Sequence, residues 1–191
     1  MARPRKFEEE RAVEAAMRAF WADGYEATST QALCEATGLG RSSIYNTFRS
    51  KHDLFKKALT RYMDVKTANI IEVLADGSRP VRERLRTVLG WAAEPGADDP
   101  AGCLVVNAMV ELAPRDAVTA ERLGKDQARR LDALVAAIEE GVRAGEIEPG
   151  RDARALAHYV ISTVSGMRVA ARGGADRRTL TSIADTAMQA I

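Results

Sequence analysis

The sequence predicts an all-α protein, and three observations carry that expectation. Apolar residues recur at helical spacing in almost every segment of the 191-residue chain. No run of alternating β-branched or aromatic residues is bounded by hairpin turn signals. Long periodic stretches are separated instead by Gly, Pro and Asp clusters at Asp76-Gly77-Ser78, from Glu94 to Pro100, at Pro114, from Gly145 to Gly150 and at Gly173-Gly174.

The first helix is expected from about Phe7 to Asp23, because Val13, Ala16, Met17 and Phe20 form one apolar stripe and Gly24 follows as a C-terminal stop. A short second helix is expected from Thr28, where Thr28 and Gln31 have capping-box spacing, to Thr37 and Gly38. A third runs from Gly40 or Arg41 to about Phe48, and a fourth starts at Ser50 with Asp53 three residues on. Longer helices follow. Leu123, Leu131, Leu134, Val135, Ile138 and Val142 share a face with Gln127, its one polar member. From Asp152 to Arg172 small and apolar residues occupy more than one face, as in a helix covered on two sides. The last helix shows a stripe of Leu180, Ile183, Ala184, Ala187, Met188 and Ile191.

Composition narrows the function. A formal charge of +1 with 46% hydrophobic residues excludes a disordered polyelectrolyte and gives no global basic field, so nucleic-acid contact has to come from local charge. The two cysteines, Cys34 and Cys103, are far apart and no secretory leader precedes them, which suits a reduced cytosol. No apolar run approaches the ~20 residues that cross a bilayer. His52 and His158 stand far apart and no His/Cys/Asp/Glu group has metal spacing, so neither a metal, a cofactor nor a catalytic centre is expected. The Gly38-Leu39-Gly40 segment lacks the preceding strand that a nucleotide loop requires.

Two short helices joined by Thr37-Gly38-Leu39-Gly40 fit a helix-turn-helix. Ile44 and Phe48 share a face that can anchor the second helix to Leu33 and Phe20. Arg41, Ser42, Ser43, Tyr45 and Asn46 are left outward, a set suited to base edges and phosphates. By composition alone it also suits an ordinary solvated helix.

Phe20-Trp21-Ala22-Asp23-Gly24-Tyr25-Glu26-Ala27-Thr28-Ser29, then Gly38-Leu39-Gly40-Arg41-Ser42-Ser43-Ile44-Tyr45-Asn46-Thr47-Phe48, and Ser50-Lys51 with Leu54 closely resemble the DNA-binding domain of the TetR (tetracycline repressor) family. The resemblance covers the first quarter of the chain by motif and the rest by helix count and length. It implies a nine-helix homodimer, with a helix-turn-helix domain at 1–50 and a ligand-binding and dimerisation domain at 51–191. Paired recognition helices would read a palindromic double-stranded operator, and a small-molecule inducer would release it. Position by position, Tyr45 matches the recognition-helix tyrosine, Lys51 the phosphate-binding lysine, and Thr28 the cap of the second helix near the DNA backbone. Arg41, Ser42, Ser43 and Asn46 stand where specificity varies. Gly40 replaces the usual Ser or Thr cap, and Thr47 stands where a second aromatic is common. Arg3, Arg5 and Lys6 form either a minor-groove arm or a solubilising tail.

The segment Gly102 to Pro114 looks like the family's sixth helix, which commonly lines the inducer pocket. There Asn107 and Glu111, one turn apart on an apolar helix, either meet an apolar or aromatic inducer's polar groups or pair at a helix junction. Met63, Trp91 and Met109 are candidate walls of that pocket or plain core, and His158 points into it or rests in a hydrogen bond. Cys103 is either a reactive thiol in a first helical turn or a small hydrophobe, and Cys34 is packing. For the dimer, Ser162, Gly166 and Ala170 offer a small-residue seam. Leu180, Ile183, Ala187 and Ile191 offer an apolar one, both joining a four-helix bundle across a two-fold axis.

Overall fold

The computed structural model describes residues 3–94, 96 and 98–191, with side chains from Glu8 onward. Among the described residues it is all-α, with nine helices: α1 (Arg3–Asp23), α2 (Thr30–Thr37), α3 (Arg41–Phe48), α4 (Lys51–Ala75), α5 (Val81–Ala93), α6 (Leu104–Glu111), α7 (Ala117–Arg143), α8 (Ala153–Arg172) and α9 (Arg177–Gln189). Every interruption between the longer helices falls at a predicted Gly, Pro or Asp cluster.

The chain packs as two compact units, Met1–Val65 with Cys103–Leu123, and Lys66–Gly102 with Gly124–Ile191. In the first, Phe20, Trp21, Leu33, Ile44, Phe48, Leu54 and Phe55 are buried together with Leu104 and Ala108 of α6. Ile44 and Phe48 thus face inward, as their spacing predicts. α1 ends at Gly24, whose φ of 89 takes the left-handed turn that a side chain disfavours.

The N-cap of α2 lies one residue later than expected, so the helix itself starts at Thr30. Ser29, with extended backbone, is the N-cap, and its Oγ accepts the Ala32 N–H at 3.0 Å. Thr28 is fully buried, and its hydroxyl donates to the Gly24 carbonyl at 2.5 Å. Its oxygen is therefore turned into the α1–α2 turn, away from the free N–H groups of α2, and the next hydroxyl caps the helix. α2 stops at Gly38 in the left-handed region, φ 69. At α4 the reciprocal cap appears as predicted, with the Asp53 N–H donating to Ser50 Oγ and the Ser50 hydroxyl donating to Asp53 Oδ2, both at 3.0 Å.

In the second unit, α5, α8 and α9 pack together around Leu85, Leu89, Ile138, Ala157 and Val160. The buried Arg84 donates to the carbonyls of Leu74 at 2.8 Å and Arg79 at 2.9 Å and pairs with Glu140. Asp152 and Asp176 cap α8 and α9, accepting N–H groups of their first turns. Buried Asp126 accepts the Thr67 hydroxyl at 2.7 Å.

Contrary to expectation, the apolar stripe of α9 is not an outward seam. Leu180, Ala187 and Ile191 are buried in this chain's own core, because the stripe that makes α9 amphipathic faces α5 and α8. Ile183 sits at the stripe's edge, half-buried. α8 is covered on one side by this chain through Leu156, Ala157, Val160 and Met167. On the other side Tyr159, Ser162, Gly166 and Val169 are exposed, Val169 by 58%, while Ala170 is half-buried.

Candidate nucleic-acid interface

The short α2–α3 pair presents one polar surface. Because Ile44 and Phe48 hold α3 to the core, Arg41, Ser42, Ser43, Tyr45, Asn46 and Thr47 are all exposed along its outer side. Gly40 caps α3 without a side-chain bond, which leaves the first N–H groups of the helix open. Such N–H groups favour anions, and the adjacent serines and arginine have the donors for phosphate and base edges.

Two of these groups are pre-oriented. The Tyr45 hydroxyl lies 3.5 Å from Thr30 Oγ1 on α2, and the Arg41 guanidinium lies 5.8 Å from its ring centre. The Thr30 hydroxyl and then Arg41 lower the phenol's pKa below its ordinary value. Lys51, at the first position of α4, holds its ammonium 4.4 Å over the Tyr25 ring and donates to the Glu26 carbonyl at 3.5 Å. Tyr25 in turn packs on Phe20, Phe55 and His52, with burial as the first cause of its raised pKa. Tyr25 is thus a platform for Lys51. An aromatic directly after the stop glycine was its visible signal in the sequence, but the pairing with Lys51 is long-range and has no local pattern.

Thr28, expected near the DNA backbone, is buried with its hydroxyl on Gly24, so it shapes the α1–α2 turn and offers no exposed contact. Arg3, Arg5 and Lys6 stand in the first turns of α1, and their side chains lie outside the described residues.

The same unit contains α6, whose polar residues are engaged with the protein. Glu111 Oε2 accepts the Tyr25 N–H at 2.7 Å and the Glu26 N–H at 3.3 Å. Asn107 donates to the Trp21 carbonyl at 3.4 Å. Arg115 pairs with Glu26 at 3.3 Å, and His52 Nε2 lies 3.2 Å from Asp116. Of the two alternatives for Asn107 and Glu111, the structure displays the helix junction. Met63 is core, Met109 and Cys103 are half-buried, and the Tyr62 hydroxyl donates to Cys103 Sγ at 3.5 Å where Cys103 caps α6. Cys34 is half-buried at the edge of the same core.

Trp91 and His158 belong to the other unit. Trp91 is half-buried and its carbonyl accepts from Arg168 at 2.7 Å. His158 is exposed on α8, so the reading that turns it inward is corrected, because α8 buries its 156, 157, 160 and 167 positions instead.

A cleft of about 870 Å³ opens in the first unit, lined by charged side chains including Glu9, Arg49, Asp53, Lys57, Arg61 and Arg122, and by none of the residues expected to bind a ligand. Among the described residues no group of three His, Cys, Asp or Glu side chains is arranged for a metal, and no helix is long and apolar enough to cross a membrane.

Residues 12–58 match the family model described as bacterial regulatory proteins, tetR family, and residues 77–187 match that of the tetracyclin repressor-like C-terminal domain. The chain is 33% identical over 189 residues to the HTH-type transcriptional repressor ComR of Escherichia coli (strain K12), covering 98% of this chain and 90% of that protein. It is similar to the solved structure of a cysteine mutant of the TetR family transcriptional regulator CifR complexed with 26bp double-strand operator DNA, with a TM-score of 0.83, 27% identity and 95% of each chain covered. A TetR transcriptional regulator from Chloroflexus aurantiacus is similar with a TM-score of 0.84 and 25% identity, over 98% of this chain and 95% of that one.

Proposed function

The chain belongs to the tetR family of bacterial regulatory proteins, and from that premise we propose that it is a repressor that holds a palindromic double-stranded operator as a homodimer and releases it on binding a small apolar or aromatic inducer. We assign DNA contact to residues 1–50 and ligand binding and dimerisation to residues 51–191. The observation that carries the DNA reading is the outer side of α3, an exposed polar surface with Tyr45 tethered to Thr30 and Lys51 held beside it over Tyr25. The operator complex of CifR supports the same reading. Arg41, Ser42, Ser43 and Asn46 are the specificity-determining set, while Tyr45 and Lys51 anchor the backbone.

One recognition helix reads one half-site, so a long site requires two copies. The surface that suits the partner is the outer face of α8 and α9. There the exposed Tyr159, Ser162, Gly166 and Val169 adjoin Ile183, and a shallow cleft of about 410 Å³ runs between Gly166 and Ile183.

An inducer releases DNA by preferring the conformation that holds the operator poorly, by about 1–3 kcal/mol. Glu111 supplies the exit for that signal, since it joins α6 to the turn whose Tyr25 carries Lys51. The test is retention of genomic fragments in a mobility-shift assay. The parent retains specific fragments at moderate salt, whereas Tyr45→Ala and Lys51→Ala lose them with helicity intact. Absence of any specific retention by the parent overturns the reading.

A second trigger is favoured by one contact, the Tyr62 hydroxyl on Cys103 Sγ at the start of α6. Addition of the thiolate to an electrophile such as a quinone forms a thioether that displaces this contact and shifts the same equilibrium. Release of the parent but not of Cys103→Ser by a quinone, with non-reactive aromatics inert on both, selects the thiol as sensor.

A further inference from the structure

Arg49 is the one non-glycine residue with positive φ among the described residues, at φ 64 and ψ −43. It joins α3 to α4 in a three-residue turn, closed by the Ser50 N–H donating to the Phe48 carbonyl at 2.7 Å. That turn strains any residue with a Cβ, and glycine relieves the strain. The side chain brings nothing back to the fold in exchange, since Arg49 is exposed and has no ion-pair partner among the described residues. Of the acids that line the cleft with it, Glu9 pairs with Lys57, Asp53 pairs with Lys56 and accepts the Ser50 hydroxyl, and neither Glu10 nor Asp64 makes an ion pair with Arg49. Its backbone is fixed to the recognition helix, for the Arg49 N–H donates to the Tyr45 carbonyl at 2.9 Å, and Lys51 follows two residues later.

A costly backbone geometry that places a free guanidinium between two proposed DNA anchors has a functional reading. We propose that Arg49 is a further operator contact, its planar guanidinium gripping a phosphodiester of the backbone beside the recognition helix. The contact rests on the operator-binding reading and adds a backbone anchor to it. Being directed at phosphate, it strengthens all sequences alike and leaves base choice to α3.

The test uses the full-length protein and a duplex that the parent retains from genomic selection, with affinity measured across a salt series. Arg49→Ala and Arg49→Gly each lower the slope of log K against log salt by about one unit and lower affinity on the order of tenfold. Arg49→Lys keeps the slope, since the charge remains. Arg49→Gly keeps or raises Tm, because glycine accepts the positive φ, and this variant reads the contact even where Arg49→Ala folds poorly. A parent slope retained in both the Ala and Gly variants overturns the proposal while the operator reading stands. Weaker binding with an unchanged slope overturns it too, since the loss is then one of turn shape and not of phosphate contact. A parent that retains no duplex overturns the operator reading and the Arg49 contact together.

Discussion

Glu111 at the end of α6 accepts the Tyr25 backbone N–H at 2.7 Å across 86 positions of sequence, and the Tyr25 ring carries the Lys51 ammonium at 4.4 Å. A carboxylate on a backbone N–H is a charge-assisted bond, stronger than a neutral one. Two such N–H groups converge on this one oxygen. Glu111→Ala therefore costs about 1–3 kcal/mol of stability. It also speeds hydrogen exchange at the Tyr25 and Glu26 amides above the global rate. Unchanged protection at those two amides would show that Glu111 does not hold the turn.

Gly24 makes that junction steric as well as polar. Its φ of 89 disfavours a side chain, and a Cβ there collides with Oε1 of Glu111. Gly24→Ala is expected to destabilise by more than the ~1 kcal/mol of a typical substitution, and Glu111→Ala to relieve part of that loss. A double-mutant cycle by denaturant unfolding should give a coupling of about 0.5–3 kcal/mol. Strict additivity contradicts the contact.

How much of this was legible in the sequence varied with range. Helix stops at Gly24 and Gly38, the Ser50–Asp53 cap and the inward face of α3 are set by residues within one or two turns, and periodicity displays them. The cap of α2 went to Ser29 because Thr28 bonds backward to Gly24, an equally local alternative that spacing does not separate. The stripe of α9 was visible, but an amphipathic stripe does not state whether it meets its own chain or a partner. Leu180, Ala187 and Ile191 meet their own. For Asn107 and Glu111 the sequence left a ligand contact and a helix junction both open, because the partners that decide it, Trp21 and Tyr25, are 86 residues away.

Acid should loosen the first unit through Asp116. Its carboxyl is held below the ordinary range, first by the Thr119 hydroxyl and then by the Thr119 N–H, with His52 adding attraction. A folded-state pKa below the unfolded value gives stability that is complete above the unfolded pKa, about 3.9, and is lost as pH falls through the lower folded value. Asp116→Asn is expected to lower stability near neutrality and to flatten the acid limb of the Tm–pH curve. A parallel shift of the whole curve would assign the loss to packing instead.

On the outer face of α8, Val169→Glu places a charge where the protomer leaves the side chain 58% exposed, so the fold tolerates it. In a dimer through that face the charge is buried unpaired. Sedimentation should report folded monomers with weakened operator binding. Leu180→Asp, at a core position, should lower Tm instead. A Val169→Glu dimer as stable as the parent would move the interface off this face.

If two copies of α3 read one operator, hydroxyl-radical footprinting of a retained duplex resolves both of them on the DNA. Two protected patches are expected on one face of the DNA, about 10 base pairs or a multiple apart. Both should vanish together in Tyr45→Ala. A single patch, or a footprint that Tyr45→Ala leaves intact, rules out paired reading by α3.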